Sequence, residues 1–313
     1  MTHNINFNED KQQHSFFSVK EKAWHGLGQI VEDYPTSAEA IKFANLDYTV
    51  EKRKLFINDN ENQLADEERE IKITEIDVPN YYATTRTDTE QVLGVVGKDY
   101  EVVQNTEAFG FFDAIVQGES IQYETAGVLG TGERIFITAK LPGYIKVGSD
   151  DLIEKYLFLT TSHDGFGSIT AAFTPTRIVC NNTLNAATRN CTNSIKIRHT
   201  QNAKERLEEA HKVMGISNKL SEELDGIFNQ WARVTITDAE VKKLIQQAMV
   251  PSKEVLRNLQ TGQLDDLSTC FKNICDNVYE YGMRSPSQLT ATTKGTVFGA
   301  YNSITGYFQN VRS

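Results

Sequence analysis

The sequence predicts an α+β protein, in which a body rich in β-hairpins with one inserted helix is followed by a helical C-terminal region. Three observations predict this class. Segments of strand-like alternation fill the first two thirds, glycine-containing turns join several of them, and amphipathic helical periods dominate after residue 200. We expect a flexible N-terminal arm over residues 1–20, the β-rich body over 21–200 and the helical region over 201–313.

The first part of the body combines short strands with two helices. Thr36 and Glu39 have the spacing of a capping box, which predicts that a helix begins beside them. Phe109 and Phe112 belong to an apolar stripe at helical spacing. In chain order, these patterns predict a helix over 38–44, strands over 47–57, 81–85, 91–96 and 100–103, and a helix over 106–116.

Two glycine-rich turns predict hairpins in the second part of the body. The first is Gly130–Glu133 and the second is His163–Gly167. They join strands predicted over 123–129, 134–141, 156–162 and 168–173, after which a strand over 176–180 leads into a short helix at Asn181. In the last third of the chain, amphipathic periodicity predicts helices over 202–213, 220–234, 238–249, 264–281 and 296–310.

The composition is that of an ordinary globular protein, with 39% hydrophobic and 24% charged residues among 313. The N-terminal residues have no apolar segment of the secretory type, and no apolar run approaches the ~18 residues of a membrane span. Four cysteines are too few for a disulfide framework. We therefore expect a cytoplasmic protein that does not enter membranes.

Charge is unevenly distributed along this acidic chain. The formal net charge is -10, yet residues 177–206 contain six cations and one acid, which leaves +5 in this basic window. An acidic block at 59–70 is expected to be a solvated loop or hairpin excursion. A groove with the charge of the basic window attracts phosphate, although pairing of its cations with acids elsewhere in the fold is an open alternative.

The basic window is our candidate nucleic-acid site. Single-strand binders combine a cationic groove with stacking aromatic rings, and amides, hydroxyls and helix starts add phosphate contacts. Phe166 lies in a turn and is the expected stacking residue. The expected backbone contacts are Arg177, Arg189, Lys196, Arg198, Lys204 and Arg206, with Asn181 and Thr183 to orient them. Asn181 acting only as a helix cap is the alternative.

The sequence gives less support to metal binding, nucleotide binding and catalysis. The cysteines lack the paired spacing of structural zinc, and the two G-x-G segments fit strand turns rather than dinucleotide loops. No Walker motif occurs, so we expect no cofactor, no metal and no ATP-driven motor. A hydrolase built on Cys180, with His163 or His199 as its base, or on the carboxylates near Asp150, is an alternative.

Five segments resemble the phage/plasmid-like protein family, a domain of unknown function found on phages, plasmids and other mobile elements. They are Trp24–Gly28, Val92–Asn105, Thr174–Leu184, Ile197–Thr200 and Gly295–Tyr307. This resemblance implies a role in the replication, recombination or defence evasion of mobile DNA. The order of hairpins, helix and basic segment is more distantly similar to phage single-strand annealing proteins, which implies rings or filaments that hold single-stranded DNA.

We therefore expect single-stranded DNA as the partner, with strand annealing without ATP as the activity and a homo-oligomer as the assembly. A non-enzymatic protein that binds or inhibits a host protein is the first alternative, because the chain is acidic overall. An unrecognised hydrolase is the second.

Overall fold

The computed structural model describes residues 3–59, 74–116, 121–149, 151–188, 194–208 and 212–311, and shows the α+β fold that the sequence predicts. Its strands lie in the N-terminal two thirds and most of its helices in the last third. The strands are β1 (Phe7–Asn8), β2 (Gln13–His14), β3 (Phe16–Val19), β4 (Gln29–Val31), β5 (Val50–Asp59), β6 (Thr74–Arg86), β7 (Val92–Gly97), β8 (Gln122–Leu129), β9 (Arg134–Val147), β10 (Asp151–Ser162), β11 (Ile169–Thr174) and β12 (Ser194–Ile197).

Helices flank the sheets and form most of the C-terminal region. They are α1 (Ser37–Phe43), α2 (Asn105–Val116), α3 (Asn181–Thr188), α4 (Ala203–Glu208), α5 (Lys212–Arg233), α6 (Asp238–Ala248), α7 (Lys253–Thr261), α8 (Thr269–Arg284) and α9 (Val297–Asn310). The predicted capping box is confirmed, since Thr36 and Glu39 bond reciprocally at the start of α1. Among the described residues, no helix combines the length and apolar character that crossing a bilayer requires.

A seven-stranded sheet forms the centre of the molecule, in the order β12-β11-β10-β9-β8-β3-β4. The strands pair antiparallel except for β3 and β4, which are parallel. Both predicted hairpins of the second part are confirmed as β8–β9 and β10–β11. A separate sheet has three strands in the order β5-β6-β7. Its hairpin β6–β7 corresponds to the strands predicted over 81–85 and 91–96.

The core joins the sheet to helices from both parts of the chain. Phe109 and Phe112 of α2 are fully buried beside sheet residues, as their helical spacing predicts. The same cluster includes Phe228 of α5 and Phe298 of α9, whose ring centroids lie 5.5 Å apart. The helical region therefore shares the core of the body, and a smaller cluster lies between α6, α8 and α9.

The N-terminal residues differ from the predicted flexible arm. Phe16 and Phe17 in β3 are fully buried, and β3 lies between β8 and β4 inside the large sheet. The residues before Phe16 are polar, so local sequence does not indicate a strand here. The strand forms because β4 and β8, which follow later in the sequence, pair with it. Close packing continues at Gly28, where a Cβ atom would lie 2.2 Å from the backbone oxygen of Phe16.

Three further elements differ from the predictions. Residues 100–103 and 176–180 are not strands, although Val103 and Ile178 are buried as strand residues would be. Helix α7 was not predicted, yet Ser252 caps its start and Gly262 ends it in the left-handed region at φ 74°. Apart from Asp59, the predicted acidic loop lies outside the described residues.

Candidate nucleic-acid interface

The predicted stacking residue lies beside an open groove at one end of the large sheet, which we call the Phe166 groove. Side chains from four adjacent strands and their turns line it, and its volume is about 710 Å³. Its lining includes Arg134 of β9, Ser162 of β10, Thr170 of β11 and Lys196 of β12. Strand pairing brings them together, because Arg134 lies opposite Ser162 and Thr170 lies opposite Lys196.

Phe166 is 93% exposed, which is unusual for a phenylalanine in a folded protein. It lies in the β10–β11 turn, where Gly165 adopts the left-handed region at φ 84°. The backbone N–H of Phe166 donates a 2.8 Å hydrogen bond to the Asp164 carboxylate. The turn therefore holds an aromatic ring in solvent without burying it.

His163 anchors this turn from beneath. Its backbone N–H donates to Glu133 at 2.7 Å, and its carbonyl accepts from the Thr84 hydroxyl at 2.6 Å. Its Nε2 lies 3.1 Å from Oδ1 of Asn105, an acceptor, so Nε2 carries the proton in this arrangement. Burial lowers the pKa of His163 to about 4. The turn is thus fixed by a neutral, buried imidazole.

Three cations of the basic window are exposed, and one of them lines the groove. Lys196 lies in the groove on the edge strand β12, Arg198 follows that strand, and Arg206 lies in α4. None of the three forms an ion pair with any residue that the structure describes. The alternative of internal pairing therefore does not apply to them within the described chain.

Sequence reasoning missed Arg134, which lines the opposite wall of the groove. Its Nη1 donates to the Asn185 side chain at 3.1 Å and its Nε lies 3.4 Å from the Thr160 hydroxyl. Burial lowers the pKa of the guanidinium, and the nearby Asp164 carboxylate opposes this shift. The sequence shows only that Arg134 follows a predicted turn, and its position opposite Ser162, the last residue of β10, is set by the fold.

The groove's lining also contains a buried hydroxyl without a hydrogen-bond partner among the described residues. Ser162 is 4% exposed, and its Oγ has no hydrogen-bond partner among the described residues. An unpartnered buried hydroxyl is costly unless another molecule satisfies it. The groove's lining contains two cations, Arg134 and Lys196, and one anion, Asp164.

Arg177 is placed away from the groove in a buried ion pair. Its guanidinium lies 2.6 Å from the Glu124 carboxylate and 3.5 Å from Glu21, and donates to the Val19 carbonyl at 2.9 Å. The side chain is only 13% exposed. These contacts stabilise the fold, and they leave this cation little access to a nucleic-acid backbone.

Asn181 and Thr183 lie at the start of α3. Thr183 is fully buried, and its hydroxyl accepts from the backbone N–H groups of Val179 and Cys180. This bonding orders the segment, and Nε2 of His25 lies 2.9 Å from the Val179 carbonyl. The segments Trp24–Gly28 and Thr174–Leu184 thus meet in space. Of the remaining predicted contacts, Arg189 and the side chain of Lys204 lie outside the described residues.

The alternative of a hydrolase built on Cys180 requires an accessible thiol, which Cys180 does not provide. Cys180 is fully buried, and its Sγ lies 3.7 Å from the Thr183 hydroxyl. His163 and His199, the predicted bases, bond to other groups: His163 to Asn105, and His199 to Thr161 at 3.2 Å and to the Glu101 carbonyl at 3.1 Å. Within the described residues, Cys180 therefore has neither the exposure nor the imidazole partner that a thiol nucleophile requires.

Comparison with known proteins gives one match. Residues 92–313 match the model of a family described as "Domain of unknown function (DUF932)". Neither a curated protein nor a solved structure matches the chain. The matched residues begin at β7 and include the Phe166 groove, α3 and the whole helical region. On this match over more than two thirds of its length, the chain belongs to the DUF932 family.

Proposed function

We propose that the protein binds single-stranded DNA through the Phe166 groove, and that it serves the recombination of a phage or plasmid. The observation that carries the proposal is an almost fully exposed phenylalanine beside a groove with a cation on each wall. An aromatic platform beside cations is the combination that single-strand binders use, because each base offers a stacking face and each phosphate a charge.

The geometry favours a single strand over a duplex. Phe166 needs the open face of an unpaired base, which a stacked duplex does not present. Arg134 and Lys196 lie on strands three positions apart, which corresponds to about 14 Å at the usual strand spacing. The two cations are therefore far enough apart to contact different phosphates of one strand.

The buried Ser162 hydroxyl would complete the groove as a hydrogen-bond donor to a phosphate or sugar oxygen. Strand annealing fits this arrangement, since the proposal requires binding energy alone and the sequence has no Walker motif. Arg198 follows β12 beyond the groove and would extend its cationic path along that strand.

The proposal predicts that the affinity for single-stranded DNA falls as the salt concentration rises, and that Lys196 and Arg198 contribute to this dependence. Replacing Lys196 and Arg198 by alanine removes two phosphate contacts, so the slope of log K against log salt becomes shallower by about 1.4 for a single strand. Fluorescence polarisation with a labelled oligonucleotide between low and moderate salt measures this, with a duplex beside it.

The matched control is the pair Lys242→Ala and Lys243→Ala on α6, which are cations outside the groove. The control should keep the wild-type slope. Unchanged binding by the Lys196→Ala/Arg198→Ala variant, or equal affinity for duplex, contradicts the proposal.

A second candidate function is protein binding through the three-stranded sheet. Its strands expose several apolar side chains, each between 44% and 57% accessible: Phe56, Ile57, Ile76, Tyr81, Val92 and Val95. Exposed apolar groups at this density mark association surfaces in many proteins. We propose a second copy of the chain as the partner, and light scattering of Tyr81→Lys against wild type tests it through the molar mass.

A further inference from the structure

A second polar cleft lies between the body and the C-terminal helices, at the opposite end of β10 from the Phe166 groove. We call it the Asp151 cleft. Its volume is about 790 Å³, and its lining includes Asp151, Glu154, Arg177, Gln288 and Asn302. Asp151 and Ser162 are the first and last residues of β10, so the two sites are about 36 Å apart along that strand.

Carboxylates outnumber cations around this cleft. Glu21, Asp151 and Glu154 line it, and Glu124 lies behind Arg177. The two cations that face these four acids are already bound: Arg177 to Glu124 and Glu21, and Lys140 to Glu154. From the residues that the structure describes, the Asp151 carboxylate accepts one side-chain hydrogen bond, from the Thr292 hydroxyl at 3.3 Å. Burial raises the pKa of the Asp151 carboxyl, as expected for a charge with too little compensation.

Gln288 provides an independent sign of a missing ligand. The residue is 6% exposed and lines the cleft, yet its Oε1 accepts no hydrogen bond from any described residue. A buried amide oxygen without a donor costs free energy, so such atoms usually have a partner. The cleft therefore offers acceptors on two sides, from Asp151 in the sheet and from Gln288 beside α8.

We propose that the Asp151 cleft binds a small organic cation of the alkylamine or guanidinium class, whose N–H groups reach Asp151 and Gln288. An anion would meet the surplus of carboxylates, and an apolar ligand would leave both acceptors unpaired. A ligand with several N–H donors and positive charge satisfies both. Free amines and the basic side chains of a peptide share this chemistry. We assign the site to a free molecule, because Gln288 is only 6% exposed and a small ligand reaches a buried acceptor more readily than a peptide does.

Agmatine, which carries a guanidinium and an ammonium group, is the probe for calorimetric titration of the full chain at 150 mM salt. We expect saturable one-to-one binding, weakened tenfold or more in Asp151→Asn and weakened also in Gln288→Leu. The isosteric Asp151→Asn should keep the wild-type unfolding midpoint, which separates loss of the site from loss of the fold.

The control variant carries Glu9→Gln and Asp10→Asn, two exposed acids of another surface, and should bind agmatine as the wild type does. The proposal fails if agmatine binds no better than neutral 1,4-butanediol, or if the control loses as much affinity as Asp151→Asn. It also fails if a penta-arginine peptide binds at the cleft and agmatine does not. DNA binding at the Phe166 groove is measured separately and does not decide these outcomes.

Discussion

Arg177 shows how a residue's role depends on partners that are distant in the sequence. Its charge contributes to the basic window, yet Glu124 lies 53 positions earlier and takes up that charge in the fold. A contiguous count of charges cannot detect such a pair, because strand pairing creates it. The same limit hid Arg134, which lies 62 positions before Lys196 and reaches the groove through β9.

We predict that removing one partner of the Arg177–Glu124 pair strongly lowers the free energy of unfolding. Arg177→Met leaves the Glu124 carboxylate buried without its counter-charge, and the expected cost is about 3–5 kcal/mol of unfolding free energy. Urea denaturation of Arg177→Met, Glu124→Gln and the double variant measures it. The double variant should cost less than the sum of the two single variants.

Exposed Lys196→Ala provides the control, with an expected change within about 0.5 kcal/mol. A change of similar size in Arg177→Met would contradict the structural role assigned to Arg177.

At the scale of a single element, the β10–β11 hairpin shows what local sequence patterns can predict. Alternation in the flanking strands and the glycines between them predicted this hairpin, and they are local signals. Strand β3 and the loop at 100–103 were misjudged because their state depends on distant partners: β8 pairs with β3, and Tyr100 donates to the Ser162 carbonyl at 2.8 Å. Local patterns thus predicted most elements of the body, while the order of strands in the sheet required the structure.

The buried imidazole of His163 predicts a loss of stability in mild acid. Its pKa is about 4 in the folded protein and ~6.5 in an unfolded chain, so the unfolded state binds more protons between these values. Stability is therefore complete above pH 6.5 and falls as the pH decreases toward 4. Between pH 7 and pH 5 this residue accounts for about 2 kcal/mol.

Urea midpoints of wild type and His163→Gln at pH 7 and pH 5 test this, because glutamine keeps a donor for Asn105 and does not titrate. The variant should lose about 2 kcal/mol less than wild type over this interval. Parallel losses in the two proteins would show that His163 does not hold the turn as a neutral group.

At the scale of the whole molecule, the central sheet separates two surfaces of opposite character. One end of β10 reaches a groove with cations and an exposed ring, and the other reaches a cleft with surplus carboxylates. Composition alone indicated an acidic protein with a basic window, and this contrast survives in the fold. The location of the cleft was beyond sequence reasoning, since β10, α8 and α9 contribute residues separated by more than a hundred positions.

The affinity of Phe166→Ala for a labelled single-stranded oligonucleotide at about 100 mM salt tests the central claim most directly. Losing one stacked base costs ~1–3 kcal/mol, so we expect affinity to fall roughly 5- to 150-fold, while the unfolding midpoint stays unchanged because the ring is exposed. Tyr144→Ala, which removes an exposed aromatic ring near the other end of β9, should bind as wild type does. Equal affinities for Phe166→Ala, Tyr144→Ala and wild type would contradict the proposed groove.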